Sequence, residues 1–281
     1  MPRPTARVLA LRAVFRTVGT AAPEVAARWA ETIFCTPPRH EPRSGDEAFL
    51  ATGRSFGVRS GGQQLVAWEW GQGPTVILAH GWGSRAGRFG PLARSLAEAG
   101  FRAVAYDAPA HGRSTGRFAS LPEFARALRD VAQAVGPVYG VVGHSLGGAA
   151  VTLALRDGLS AGRVVLLAAP ADVTPFTDAF ADQLRLPAAV RIAMRRNLEL
   201  RLEVRLDSLH VPTIARRLAA PALLIHDRED LEVPYSDAEE IAAAWKSARL
   251  MATTSLGHRA ILRDPEVVRQ AVDFFRAEHG P

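Results

Sequence analysis

Apolar residues recur in this chain with two different periods, and the places where the period changes mark its elements. Val8, Leu11, Val14, Phe15 and Val18 return to one helical face, with Arg12 and Arg16 off it, so the first element is an amphipathic helix. A second helix follows over 25–34, and "TPPRHEPRSGDE" reads as a Pro-rich connector. "LVAWEW" then alternates like a strand with one exposed face, and "GQGP" turns into "TVILAHGWG", where 75–79 form a continuous apolar run. Such a run predicts a strand buried on both faces. Helix 92–99, the strand of "FRAVAYDAPAHG", helix 122–135, the strand of "VYGVVGHS", helix 146–156 and strand 164–168 continue the alternation.

Strand and helix in turn, joined by short connections, predict an α/β fold with a mostly parallel central sheet flanked by helices. Residues 171–220 break the rhythm, with helical periodicity and many arginines but no good strand. Strands return at "ALLIHDRED" and "ARLMATTS", and "DPEVVRQAVDFFRAEH" is a final amphipathic helix. The expected organisation is an N-terminal helical extension (1–47), a core (48–170 and 221–281) and a helical cap (171–220) inserted between late strands. Sheets of this kind bind ligands beyond the carboxyl ends of their strands, so the informative residues should follow the strands.

Composition narrows the function classes. Of 281 residues, 48% are hydrophobic and 22% charged, ordinary for a globular domain with a sizeable core. The formal charge is +6 and Lys246 is the only lysine, yet the arginines are scattered and carry no motif that reads DNA or RNA. No nucleic-acid partner is expected. Cys35 is the only cysteine, so an intramolecular disulfide is impossible. No apolar run reaches the length of a membrane span, and Arg12 and Arg16 interrupt what would be the apolar stretch of a signal peptide. A cytoplasmic protein is the expectation. The first helix reads as one that packs on the domain; peripheral contact with an anionic membrane surface is the alternative. Oligomeric state has no signature in the sequence.

The chemistry concentrates in "YGVVGHSLGGAAV". Gly143-His144-Ser145-Leu146-Gly147 fits G-x-S-x-G, and it has the strand before and helix after that the motif requires. Glycines at 143, 147 and 148 would clear space for a serine at a sharp, strained turn. A serine hydroxyl needs a base to become a nucleophile. Among eight histidines, His144 adjoins the serine but points elsewhere, and His80 and His111 read as loop-holding groups. His226 lies within a strand, while His40, His210 and His279 have no helpful setting. His258, in "TTSLGHRAIL" after the last strand, belongs to the same rim as Ser145. The imidazole needs a carboxylate to fix its tautomer. "LLIHDREDLEVP" offers Asp230, with Asp227 as second choice.

Four segments, "LAHGWG", "YDAPAHGRS", "GHSLGG" and "HDREDLEVP", together with "LGHRAILRDPEVVRQAVDFF", make the chain resemble the α/β-hydrolase family, esterase/lipase-like members included, from about residue 55 onward. The resemblance implies Ser145 as nucleophile, Asp230 as acid and His258 as base, with the Trp82 and Leu146 N–H groups as an oxyanion hole. It departs from the family at Asp227, where members often carry glycine, and it assigns nothing before about residue 47. Serine at the elbow excludes the dehalogenases and epoxide hydrolases of this fold, which use aspartate there. The implied activity is hydrolysis of a small-molecule carboxylic ester or thioester through an acyl-enzyme. Non-hydrolytic chemistry on the same fold (lyase, perhydrolase, cofactor-free oxygenase) and a silent ligand-binding protein are the alternatives. No cofactor and no metal are expected, since there is no H-E-x-x-H and no zinc spacing. In the cap, Val173, Phe176, Phe180, Leu184 and Leu186 read mainly as its inner face. Arg191, Arg195, Arg196, Arg201 and Arg205 read as a solvated stripe or as a dock for an anionic group, a role open also to Arg85 and Arg88.

Overall fold

The continuous apolar runs of the sequence become the middle of a sheet in a computed structural model, which describes residues 5–277; His279 lies outside the described residues. The strands are β1 (Arg54–Ser60), β2 (Gln63–Trp70), β3 (Thr75–Ala79), β4 (Arg102–Tyr106), β5 (Val138–His144), β6 (Arg163–Leu167), β7 (Ala222–Asp227) and β8 (Ala248–Thr253). They lie in the order β1-β2-β4-β3-β5-β6-β7-β8. The β1–β2 and β2–β4 pairs are antiparallel and all the others parallel. Every residue of β3, β6 and β7 is buried, as helices on both faces of a parallel sheet require.

The strand order contains a reversal. From β3 the chain moves out to β4 on one side and returns to β5 on the other. The connections from β3 and β5 therefore run to opposite sides of the sheet, and a switch point of this kind is where open α/β sheets bind ligands. That topology fixes where a ligand site belongs before any side chain is considered.

Strand β1 is absent from the sequence reading. Its segment "RSFGVRS" is exposed at most positions and buried only at Val58 and Ser60, so it lacks the apolar signal of a core strand. Helix Tyr235–Ala244, between β7 and β8, is likewise an addition to that reading.

Contacts divide the chain into two units, Met1–Thr36 with Asp172–His210, and Pro37–Ala171 with Val211–Pro281. The expected boundaries lay at 47, 170 and 220. Residues 37–50 go with the sheet for a packing reason: helix Ser44–Leu50 stacks Phe49 on Trp70 with ring centroids 4.6 Å apart. Its buried Asp46 also meets Arg263 at 2.9 Å and Arg88 at 3.2 Å.

The smaller unit consists mainly of the helices Ala6–Ala21, Pro23–Phe34, Thr174–Leu184 and Ala188–Leu202. In its first helix Phe15 and Gly19 are buried, Val8, Leu11 and Val18 half-buried, and Val14 exposed. A side chain at Gly19 would press on Val190 and Pro187, which is how closely the helices meet. Leu184 and Leu186 are buried and Phe180 sits edge-on to Phe34, whereas Phe176 is exposed. The arginine stripe is not a bare cationic face. Arg191 pairs with Asp182 at 2.6 Å, Arg195 with Asp207 at 2.5 Å, Arg196 with Glu24 at 2.6 Å and Arg201 with Glu31 at 3.0 Å. Arg205 also faces Asp207, at 3.5 Å. Among the described residues, no helix is long and apolar enough to cross a membrane.

Candidate active site

Ser145 closes β5 and caps helix Leu146–Arg156 with φ 55° and ψ −127°, a backbone conformation that non-glycine residues rarely hold. The surroundings enforce it. A Cβ at Gly143 would stand 2.6 Å from the Gly148 Cα, and one at Gly148 would stand 2.5 Å from the Ala169 Cβ. One at Gly147 would run into the Ala79 and His80 carbonyls. The helix start is thus pressed onto the β3 loop, and only glycine fits.

That loop passes directly beside the serine. A Cβ on Gly81 would lie 2.7 Å from the Ser145 Cβ and 3.2 Å from its Oγ. Three buried side chains hold the loop in shape. His80 donates from Nδ1 to the Gly81 carbonyl at 2.7 Å and accepts the Ala108 N–H at Nε2 (2.9 Å). His111 accepts the Gly83 N–H at 2.9 Å and donates to the Pro109 carbonyl at 2.8 Å. Asp107 accepts Ala86 N–H at 2.8 Å and Arg113 N–H at 2.7 Å. Burial keeps both imidazoles neutral, with His80 well below the usual histidine range and His111 lowered to about 4. Neutrality matters, because a protonated ring could not accept an N–H. Among the described residues, no group receives a hydrogen bond from the Trp82 or Leu146 N–H.

His258 lies in the short helix Gly257–Ala260 that follows β8. Its ring is buried, and Nδ1–H donates to Asp230 Oδ2 at 2.8 Å. The tautomer follows from the partner: with Nδ1 carrying the proton, Nε2 is the basic nitrogen. The elbow and this loop are tied together, since His144 Nε2–H donates to the His258 carbonyl at 2.8 Å and the two rings are 4.8 Å apart. His144 is itself lowered to about 3, chiefly by burial and then by the neighbouring His258, so it cannot act as a base near neutrality.

Asp230 is fixed on every side. Oδ1 accepts the Glu232 and Val233 N–H groups at 2.8 and 2.9 Å, while Oδ2 meets His258 and, at 3.4 Å, His226 Nε2. Burial alone would raise this carboxyl; the hydrogen bonds from His226, His258 and Val233 outweigh it and hold the acid well below the usual carboxylate range. Asp227, the second choice, makes no hydrogen bond to the His258 ring and binds the loop before it instead. His144 and His226 are the contributors that sequence reasoning passed over. Each neighbours a motif residue, but only the fold reveals which atom it reaches. Among the described residues, no group of three or more His, Cys, Asp or Glu side chains is placed to hold a metal ion.

Residues 73–209 match the family model described as serine aminopeptidase, S33, and residues 206–278 that of a TAP-like protein. The chain is an α/β-hydrolase. It is 31% identical to the monoglyceride lipase of Homo sapiens over 159 residues, 50% of this chain and 52% of that protein. It therefore spans about half the length of that relative. It is also 26% identical to the pimeloyl-[acyl-carrier protein] methyl ester esterase of Nitrosomonas europaea, over 70% of this chain and 93% of that one. Among solved structures, the Pyrococcus furiosus esterase Pf2001 superposes with a TM-score of 0.66 at 19% identity, covering 86% of this α/β-hydrolase and 98% of that chain. At that identity the likeness speaks for the fold.

Proposed function

We propose that this α/β-hydrolase is a serine hydrolase that cleaves a carboxylic ester or thioester. The observation that carries the reading is the 2.8 Å bond from His258 Nδ1–H to a fully enclosed Asp230 carboxylate, in a loop tethered to the strained Ser145 elbow. His258 Nε2 takes the hydroxyl proton as Ser145 Oγ attacks the acyl carbon. The carbonyl oxygen becomes an oxyanion held by the Trp82 and Leu146 N–H groups. Collapse expels the alcohol or thiol, which leaves with the proton from His258. A water molecule, deprotonated by the same nitrogen, then releases the acid and restores Ser145. The ester class is supported by two relatives named as a lipase of monoglycerides and a methyl ester esterase. A cytoplasmic setting belongs to this reading, supported by a single, buried cysteine.

A fluorophosphonate probe tests the proposal. Wild-type protein should label at one site, Ser145→Ala should not, and a panel of p-nitrophenyl esters of varied chain length should turn over. Labelling of Ser145→Ala at the wild-type rate would overturn it. Labelling without turnover of any ester would favour a ligand-binding protein.

A further inference from the structure

We propose that Asp227 is a positioning residue, whose carboxylate sets the backbone turn that presents His258 to Asp230. The inference rests on the hydrolase reading above, and it concerns the position at which the chain departs from the glycine of its family resemblance.

Asp227 ends β7 directly beside Thr253, which ends β8. Its side chain is fully buried and every oxygen is occupied. Oδ2 accepts the Thr253 hydroxyl at 2.8 Å and the Leu256 N–H at 3.1 Å. Oδ1 accepts the Glu229 N–H at 3.0 Å. One carboxylate therefore gathers the N–H groups of the loop after β7 and of the loop after β8. The first loop carries Asp230, whose N–H donates to the Asp227 carbonyl at 3.2 Å; the second carries His258, immediately after Gly257.

The second loop needs such an anchor. Ser255 has φ 63° and Gly257 φ 62°, so the chain turns twice through the left-handed region within three residues. A non-glycine residue there is strained and persists only when its surroundings over-determine it. The Leu256 N–H and the Thr253 hydroxyl, converging on one oxygen of a buried anion, supply that determination. His258 is then held from both directions: its loop backbone by Asp227 below, and its carbonyl by His144 above. The two aspartates of "HDRED" thus divide the work. Asp230 takes the imidazole, and Asp227 takes the chain that carries it. A glycine at 227 leaves the Leu256 N–H and the Thr253 hydroxyl without their acceptor.

The test uses the full chain with Asp227→Gly, Asp227→Asn and Thr253→Val, each assayed well below its own unfolding midpoint. Three quantities are read: the fluorophosphonate labelling rate, kcat against KM on a p-nitrophenyl ester, and the downfield proton resonance of the carboxylate-bonded His258 Nδ1–H, assigned by its loss in His258→Gln. Asp227→Gly should lose roughly 100-fold in kcat with little change in KM, the scale of a misplaced catalytic group. The resonance should broaden or vanish with it. Asp227→Asn should fall between, since its carboxamide oxygen still accepts the Leu256 N–H while its NH2 cannot accept the Glu229 N–H, and Thr253→Val should lose least. A folded Asp227→Gly with wild-type labelling and an intact resonance would overturn the proposal. Should that variant not fold, wild-type kcat and resonance in both Asp227→Asn and Thr253→Val would overturn it. If the wild type itself fails to label, the hydrolase reading falls, and the resonance, which requires no turnover, still decides the role of Asp227.

Discussion

His258 and Asp230 are joined through Nδ1–H and Oδ2 at 2.8 Å, and the other oxygen of Asp230 is committed to two backbone N–H groups. This carboxylate cannot rotate without breaking bonds at both ends. An asparagine at 230 would keep its oxygen on the Glu232 and Val233 N–H groups and turn its NH2 toward His258. The imidazole would then be held in the wrong tautomer, with its proton on the nitrogen that should accept one. Asp230→Asn is expected to lower kcat about 10⁴-fold. Steady-state hydrolysis of a p-nitrophenyl ester measures it, beside the much smaller loss expected of Asp227→Asn. Equal losses in the two variants would mean that the acid has been misassigned.

The closeness of Gly81 to Ser145 separates two effects that are often confounded. Gly81→Ala sets a methyl group against Ser145 and displaces the Trp82 N–H from the serine, so kcat should fall about 10²–10³-fold, as when one oxyanion donor is lost. Gly147→Ala instead drives a methyl group into the backbone carbonyls of Ala79 and His80, which have no rotamer to retreat into. It should destabilise the fold by about 1–3 kcal/mol. Urea unfolding and ester hydrolysis, run on both variants, are expected to give opposite rankings.

The legible part of this molecule is the part where burial writes a period into the chain. Strands β3, β5 and β7 announce themselves as apolar runs, and the elbow as glycines around a serine, because each obeys a constraint local in sequence. Choosing Asp230 over Asp227 is different. Asp227 ends β7 and Asp230 follows it, and what distinguishes them is the turn between them, which sends Asp230 to the imidazole and Asp227 to the Leu256 N–H. The sequence turns His144 away from Ser145 but does not show where it goes, which is to the His258 carbonyl. The pairing of Arg196 and Arg201 is hidden in the sequence because their partners, Glu24 and Glu31, lie in a helix far back along the chain. Strand β1 carries too few apolar residues to be seen at all.

The first helix offers a choice between packing and membrane contact that stability can decide. Phe15 is 1% exposed, so its ring is spent inside the smaller unit. Phe15→Ala is expected to cost about 3–5 kcal/mol, read from the unfolding midpoint. Sedimentation with vesicles containing phosphatidylserine should be the same for wild type and variant. A helix that served a bilayer would give the reverse pattern, with stability kept and vesicle binding lost.

Three of the buried histidines make stability depend on pH in a defined direction. His111 is lowered from 6.5 to about 4 and His144 to about 3, and His80 is displaced the same way, in each case first by burial. Above pH 6.5 both folded and unfolded chains keep these rings neutral, and stability is independent of them. As pH falls below 6.5, the unfolded chain takes up protons that the folded chain refuses, so unfolding becomes easier. Each such ring contributes a slope of about 1.4 kcal/mol per pH unit once its unfolded form is fully protonated, down to its folded value. Urea midpoints between pH 6.5 and 5, where most carboxylates remain ionised, should fall with acidification. His144→Gln removes one of the three rings and keeps a side-chain donor for the His258 carbonyl, so its slope should be shallower by about one proton's worth. A slope identical to wild type would show that His144 titrates normally in the folded protein, and the neutral ring assigned to the elbow would be wrong.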